Sequence, residues 1–129
     1  MEDWKIRTSV LWLFASVAFL AHQVIVLMEP GVIAQLMAGE AEGQRISPGM
    51  ILFFSILILV PMVMAFLSLT LRDPLNRRLN IIVGAVFALL WSFSVIEAMQ
   101  SAYWGGALIT FSAVVASALI MRYAWKHRM

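Results

Sequence analysis

Cysteine is absent from this chain of 129 residues. Disulfides, thiolate metal sites and cysteine nucleophiles are excluded with it, since each of them requires a thiol. Quinone-reducing four-helix enzymes that depend on a CxxC pair are excluded for the same reason. Any chemistry in this protein must therefore use other side chains.

Charged residues are also scarce. They make up 12% of the chain and hydrophobic residues make up 63%, whereas a soluble domain is about 25% charged and about 45–50% apolar. The formal net charge is only +2, and no cluster of Lys and Arg interleaves with aromatic residues as on a nucleic-acid-binding surface. The composition indicates a protein that lies in lipid and has no nucleic-acid partner.

Common catalytic and cofactor motifs are missing from the sequence. GxSxG, HExxH, P-loop and dinucleotide-binding patterns do not occur. Haem held by two histidines needs both within the membrane, but His127 follows the last apolar run and leaves His22 alone. The methionines share no face with a histidine, which favours packing over metal binding. We expect no catalytic residue, no metal and no cofactor.

Four long apolar runs are present, at 8–28, 48–71, 79–100 and 106–125. A helix of about 20 residues, rising about 1.5 Å per residue, crosses a hydrocarbon core of roughly 30 Å. The runs are continuous, which favours helices over the alternating strands of a barrel. We predict an all-α fold in which residues 1–129 form one integral membrane domain, an up-down four-helix bundle.

Basic residues lie almost entirely on one side of this predicted bundle. Only Arg45 is in the first or third connection between runs. The positive-inside rule therefore predicts that both termini are cytoplasmic. The other eight precede the first run, separate the second from the third, or lie at or after the end of the fourth: Lys5, Arg7, Arg72, Arg77, Arg78, Arg122, Lys126 and Arg128.

The first connection, 29–47, contains a second, shorter apolar segment. Glu29 and Pro30 suit the start of a helix, and Gly39 suits its end. We predict a short helix at about 30–38 that lies in the outer membrane interface. Residues 40–44 look like a mobile acidic tip, and Ser47 followed by Pro48 suits the N-cap and first turn of the second span. The apolar residues on one face of the short helix are Val32, Ile33, Leu36 and Met37.

Connections and small residues suggest how the spans pack. The short segment 72–79 predicts that the second and third spans are antiparallel neighbours. Small residues recur at helical spacing on the third and fourth spans, which allows close helix contact. They pack these two spans together or form a face for a homodimer or another membrane protein. They are Gly84, Ala88 and Ser92 on the third span and Gly106, Thr110, Ala113 and Ser117 on the fourth.

A candidate ligand site comes from the polar residues within the spans. His22 lies roughly 9 Å, and Glu97 about 5 Å, inside the outer boundary by helix rise. Such groups are costly at membrane depth and usually face the bundle interior, a partner or a cavity. If the first and third spans face each other, His22 and Glu97 could share a hydrogen bond, with Gln100 and Trp104 above them and Gln23 beside His22. The structural alternative is that His22 and Gln23 hydrogen-bond between helices while Glu97 reaches the outer surface.

Several segments resemble a family of small four-span prokaryotic membrane proteins of unknown activity. They are LMEPGV at 27–32, NRRLNIIVG at 76–84, LWLF at 11–14 and YAWK at 123–126. The resemblance covers nearly the whole chain and implies a four-span fold in the cytoplasmic (inner) membrane of a prokaryote. Members of that family commonly carry an acidic residue where Gln23 stands here.

Three functions are compatible with these features. The first is binding of a small amphipathic or lipid-like ligand in an outer-leaflet pocket, with His22, Gln23, Glu97, Gln100 and Trp104 as contacts. The second is a non-catalytic partner subunit of another membrane protein. The third is a small multidrug-type transporter acting as an oligomer, although this chain has no acidic residue midway along the first span.

Overall fold

The computed structural model describes residues 3–41, 44–102 and 104–126, and all structural statements below concern these residues. The elements are α1 (Asp3–Leu27), α2 (Val32–Met37), β1 (Glu40–Ala41), β2 (Gln44–Arg45), α3 (Pro48–Thr70), α4 (Asp73–Gln100) and α5 (Trp104–Lys126). The four longest helices, α1, α3, α4 and α5, are long and apolar enough to cross a membrane. The fold class is therefore all-α with four candidate spans, as predicted.

Two helices begin well before the apolar runs that predicted them. α1 begins at Asp3 rather than at 8, and α4 begins at Asp73 rather than at 79. Asp73 and Pro74 occupy the first turn of α4, where an acidic residue complements the helix dipole and proline loses no hydrogen bond. The apolar runs predicted only the helix segments suited to lipid. The helices themselves begin earlier, in polar residues.

The helices pack in the order α3, α1, α5, α4. α1 packs along α3 and α5, α5 packs along α4, and α3 touches α4 only slightly. The prediction that the second and third spans are neighbours is therefore wrong for most of their length. A short connection brings two helix ends together but does not keep the helices in contact beyond the turn.

Contacts between side chains give the helix directions. The Arg7 guanidinium lies 5.4 Å from the centre of the Tyr123 ring, and a Cβ at Gly105 would lie 3.5 Å from Ile25. The start of α1 thus meets the end of α5, and these helices run antiparallel. We call the end of the bundle that holds the start of α1, the α3–α4 connection and the end of α5 the terminal end, and the opposite end the loop end.

Aromatic side chains join α1 to α4 across the bundle. Trp12 meets Phe87 edge-on with ring centres 5.9 Å apart, and Phe19 meets Trp91 at 5.2 Å. All four side chains are buried in one apolar core. The large rings span the distance between α1 and α4, whose backbones do not pack along each other. Edge-on contact suits the charge distribution of aromatic rings.

α3 has fully buried side chains in its second half only, while Leu57 and Val60 pack partly buried against the core. Its buried residues are Pro61, Met64, Ala65 and Ser68. From residue 48 to residue 60 no side chain is buried. The loop-end half of α3 therefore lies against no other described helix over most of its surface.

The connection between α1 and α3 differs in detail from the prediction. α2 spans Val32–Met37 rather than 30–38, because Pro30 lies in a turn and Gly31 is the N-cap with φ of 86°. Gly39 has φ of 79°, and its N–H donates to the Leu36 carbonyl at 3.0 Å, which confirms it as the helix stop. β1 and β2 pair antiparallel where an acidic tip was expected; residues 42 and 43 of that tip lie outside the described residues.

The N-cap predicted for the second span is confirmed. The Met50 N–H donates to the Ser47 hydroxyl at 3.2 Å, and Pro48 occupies the first turn of α3. The serine satisfies one of the backbone donors that a helix start leaves without a partner.

We predict that Gly84→Leu will loosen the packing of α4 on α5. A Cβ at Gly84 would lie 3.0 Å from the Met121 side chain and 3.6 Å from the Ser117 carbonyl oxygen. Overpacking of this kind costs about 1–3 kcal/mol, to be measured as the free energy of unfolding in mixed micelles. The control is Gly49→Leu, where the nearest atom would be 3.9 Å away; equal losses in the two variants would contradict this account of the interface.

Candidate functional site

The most extensive set of buried polar contacts lies toward the terminal end. We call Trp12, Ser68, Asn76 and Asn80 the terminal-end network. Asn80 Oδ1 accepts from Trp12 Nε1 at 2.7 Å and from the Ser68 hydroxyl at 3.1 Å. Asn80 Nδ2 donates to Asn76 Oδ1 at 2.6 Å. All four residues are fully buried, so these bonds are shielded from competing water.

Asn76 closes the end of α3. Its Nδ2 donates to the carbonyl of Ser68 at 2.9 Å and to that of Leu71 at 3.2 Å. The last carbonyls of a helix have no donor within the helix, so Asn76 supplies one. The terminal-end network thus connects α1, α3 and α4 by hydrogen bonds. Both the amide oxygens and the amide nitrogens of Asn76 and Asn80 have partners, which is typical of a structural role.

Charged residues lie beside this network around the buried Trp4. Lys5 Nζ lies 2.8 Å from Asp73 Oδ1, and Arg77 lies 3.9 Å from Asp73 Oδ2. The two cations also lie 6.0 Å and 5.7 Å from the centre of the Trp4 ring, within range of a cation–π contact. Together these contacts fix the start of α1 against the start of α4.

The terminal-end network was not predicted from the sequence. Asn80 lies within the third apolar run, 79–100, but was not among the polar residues expected to form a site. A signal was available, because Asn76, Asn80 and Gly84 follow one another at intervals of four and so share a helix face. Trp12, Asn76 and Asn80 also lie in the segments LWLF and NRRLNIIVG on which the family resemblance rests.

The predicted ligand residues occupy less buried positions toward the loop end. His22 is half-buried on α1, while Gln23, Glu97 and Gln100 are exposed. Trp104 is 64% exposed. It lines an apolar groove of about 280 Å³ on the outside of α4 and α5. The other residues of the groove are Val95, Met99, Ala107, Leu108 and Phe111.

The expected hydrogen bond between His22 and Glu97 is not formed. His22 Nδ1 is buried and has no hydrogen-bond partner among the described residues. Ala98 is buried and Glu97 is exposed, because neighbouring residues on a helix point about 100° apart. The structure therefore does not bring these side chains together, and a shared role in ligand binding stays a prediction.

A second buried nitrogen, in the indole of Trp91 toward the loop end, also lacks a partner among the described residues. Trp91 on α4 is 4% exposed, and no group within the described part of the chain accepts from its Nε1. Trp91 packs against Phe19, which is one helical turn from His22 on α1. The Ser117 hydroxyl, nearer the terminal end of α5, is also buried without a partner among the described residues, but it is not accompanied by a second such group on a facing helix.

Most of the small residues that recur along α4 and α5 are buried by contacts within this chain. Gly84 faces Ser117 and Met121, while Ala88 and Ser92 are only half-buried. These small residues therefore pack α4 on α5, and docking of a second chain on the same residues stays a prediction. The buried members on α5 are Gly106, Thr110, Ala113 and Ser117.

Clusters that could hold a metal ion are not found in the described ranges. No group of three or more His, Asp or Glu side chains lies close enough together there.

We predict that Asn80→Leu will destabilise the protein by about 1–3 kcal/mol, because it leaves the buried donors of Trp12 and Ser68 without an acceptor. The measurement is the free energy of unfolding in mixed micelles. The matched control is Ser94→Ala on the same helix, whose hydroxyl donates only to the Leu90 carbonyl of its own helix. Its loss should stay below about 0.5 kcal/mol, and equal losses in the two variants would contradict the role given to the terminal-end network.

Comparison with known proteins gives the family of the chain and no activity. No curated protein and no solved structure matches it. A family model described as a family of unknown function (DUF6326) matches residues 2–128. The match covers nearly the whole sequence, and the chain therefore belongs to this family.

Proposed function

We propose that the chain is a multi-pass protein of the cytoplasmic membrane of a prokaryote, with both termini in the cytoplasm. Seven of the eight Lys and Arg residues in the described part of the chain are at the terminal end, and Arg45 is at the loop end. Basic residues are retained on the cytoplasmic side of membrane proteins, which makes the terminal end cytoplasmic. α2 then lies in the outer interface with its apolar residues toward lipid.

Single cysteines test this orientation directly, because the natural chain has none. We predict that a membrane-impermeant maleimide will label Glu40→Cys in intact cells, since β1 is on the outside in this orientation. Lys126→Cys, at the exposed end of α5, should be labelled only after the cells are permeabilised. The reverse pattern would overturn the orientation.

Within that membrane we propose that the protein binds a small amphipathic or lipid-like molecule at its loop end. The observation that carries this proposal is the buried Nδ1 of His22, which no side chain or backbone group in the described part of the chain bonds. Leaving such an atom unbonded costs about 1–3 kcal/mol, and hydrocarbon offers it no water. A polar head group from the outer leaflet would supply the missing partner.

The shape of the bundle supports the same proposal. α3 has no fully buried side chain along its loop-end half, so it covers the interior less there than at the terminal end. Gln23, Glu97 and Gln100 are exposed at the same level and would contact the head group from the rim. Trp104 lies in the apolar groove on the outside of α4 and α5, which offers an apolar wall to an acyl chain.

We predict that His22→Leu will remove the bound molecule. Protein purified in mild detergent would be extracted with organic solvent, and the amphipathic molecules retained per chain would be counted by mass spectrometry. Removing one hydrogen bond of about 1.4 kcal/mol lowers affinity about tenfold, and Glu97→Gln should lower retention less because Glu97 is exposed. Ser16→Ala is the control, since its hydroxyl bonds only to the Trp12 carbonyl of its own helix. Unchanged retention in His22→Leu would overturn the proposal.

A second function, a non-catalytic partner subunit, is favoured by a different observation. The loop-end half of α3 has no buried residue, and its Phe53 and Phe54 are exposed. A helix of another membrane protein would pack along this surface. In the same purification, a second protein recovered in constant ratio and no retained amphipathic molecule would favour this function over ligand binding.

A further inference from the structure

The buried indole of Trp91 gives the proposed site a chemical preference. Its ring packs between Phe19, at 5.2 Å, and Phe87, at 6.4 Å, while its Nε1 has no acceptor. Trp12 provides an internal comparison, because its Nε1 donates to Asn80 at 2.7 Å. The same bundle bonds one buried indole and leaves the other without an acceptor. An indole N–H is a donor only, so the missing group is an acceptor.

His22 borders the same part of the interior as Trp91. It follows Phe19 by three residues on α1, so both side chains lie on one helix face, about 4.5 Å apart along the axis. Phe19 in turn contacts Trp91. The Phe19–Trp91 contact therefore lies next to two nitrogens, one on α1 and one on α4, that have no partner among the described residues. We call this region, bordered by Phe19, His22 and Trp91, the loop-end space.

The groups around the loop-end space favour a neutral occupant. A protonated amine or a quaternary ammonium has no acceptor for the Trp91 N–H and would need a carboxylate beside it. An anionic head would need a cation, and the one Lys or Arg at the loop end of the described residues is the exposed Arg45. Glu97, the acidic residue nearest in sequence to Trp91, is exposed and forms no ion pair with His22. A carbonyl or ester oxygen would accept from Trp91 and from His22, whose neutral ring carries one N–H. The aromatic rings of Phe19 and Trp91 would cover the apolar part beside that oxygen.

We infer that the molecule bound at the loop end is a neutral amphipath whose head carries a carbonyl or ester oxygen, and that Trp91 Nε1 and His22 Nδ1 bind that oxygen. This inference rests on the proposed ligand binding and names its chemical class. The simplest competing occupant is one water molecule that bridges the two nitrogens.

Two probes of the same shape test the inference. Decylacetophenone has a ketone oxygen on a flat ring with an alkyl tail, and decylbenzene has the same ring and tail without an acceptor. Both would be titrated into the full chain in nanodiscs with ¹⁵N-labelled indoles. The chain has five Trp, and the Trp91 signal is the one lost in Trp91→Phe. We expect the ketone to move the Trp91 N–H proton signal downfield in a saturable way and decylbenzene to leave it in place.

Variants separate binding from folding. Trp91→Phe keeps an aromatic ring and removes the N–H, so it should lower ketone affinity about fivefold to tenfold. Trp12→Phe removes an N–H that is already bonded, so it should lower stability while ketone affinity stays within twofold. If Trp91→Phe does not fold, the Trp91 signal is assigned by elimination from single Phe variants of the other four Trp, which keeps the shift measurement in the unmodified protein valid.

Each remaining outcome would overturn either the carbonyl inference or the proposed ligand binding. Saturable binding of both probes with equal affinity and a fixed Trp91 signal would overturn the carbonyl inference and leave ligand binding intact. A Trp91 signal that exchanges with added deuterium oxide and ignores the ketone would show bridging water only. If neither probe binds and no molecule is retained on purification, the proposed function fails as well.

Discussion

The hydrogen bond from Trp12 to Asn80 is the contact on which the arrangement of the helices most depends. The backbones of α1 and α4 do not pack along each other, so the bond at 2.7 Å and the aromatic contacts above it hold these helices in register. The same carboxamide accepts from Ser68 on α3, and its neighbour Asn76 caps the end of that helix. In an apolar environment a directional bond of this kind fixes which helices meet, because apolar side chains are equally well accommodated by lipid.

The two ends of the bundle therefore have different chemistry. At the terminal end, buried amides, a hydroxyl and charged groups have partners, and three helices are joined. Toward the loop end, α3 contributes no fully buried side chain, and two buried nitrogens, on His22 and Trp91, lack partners among the described residues, as does the Ser117 hydroxyl farther along α5. Fully bonded polar groups stabilise a structure, whereas unbonded ones raise its free energy until a ligand or water bonds them. This difference is why we assign structure to the first end and binding to the second.

The sequence was sufficient for the number and approximate position of the helices, because long apolar runs reflect a simple length requirement. Ser47 and Gly39 were predicted correctly as helix boundaries, since caps depend on local backbone chemistry. The packing order was not predictable from the short 72–79 connection, which constrains only two helix ends. The candidate site was predicted by depth alone, which placed His22 and Glu97 at similar levels and gave no information about the direction of each side chain. Asn76 and Asn80 could have been found from their shared face with Gly84, whereas the partner atoms of Asn80 on α1 and α3 depend on tertiary packing.

An experimental density map of the protein in a lipid nanodisc tests the central claim most directly, because it shows what lies against Trp91 and His22. The account predicts elongated density that is not protein in the loop-end space, with its polar end within hydrogen-bond distance of both nitrogens. A loop-end space filled by this chain's own side chains, with Trp91 Nε1 donating to one of them, would contradict it.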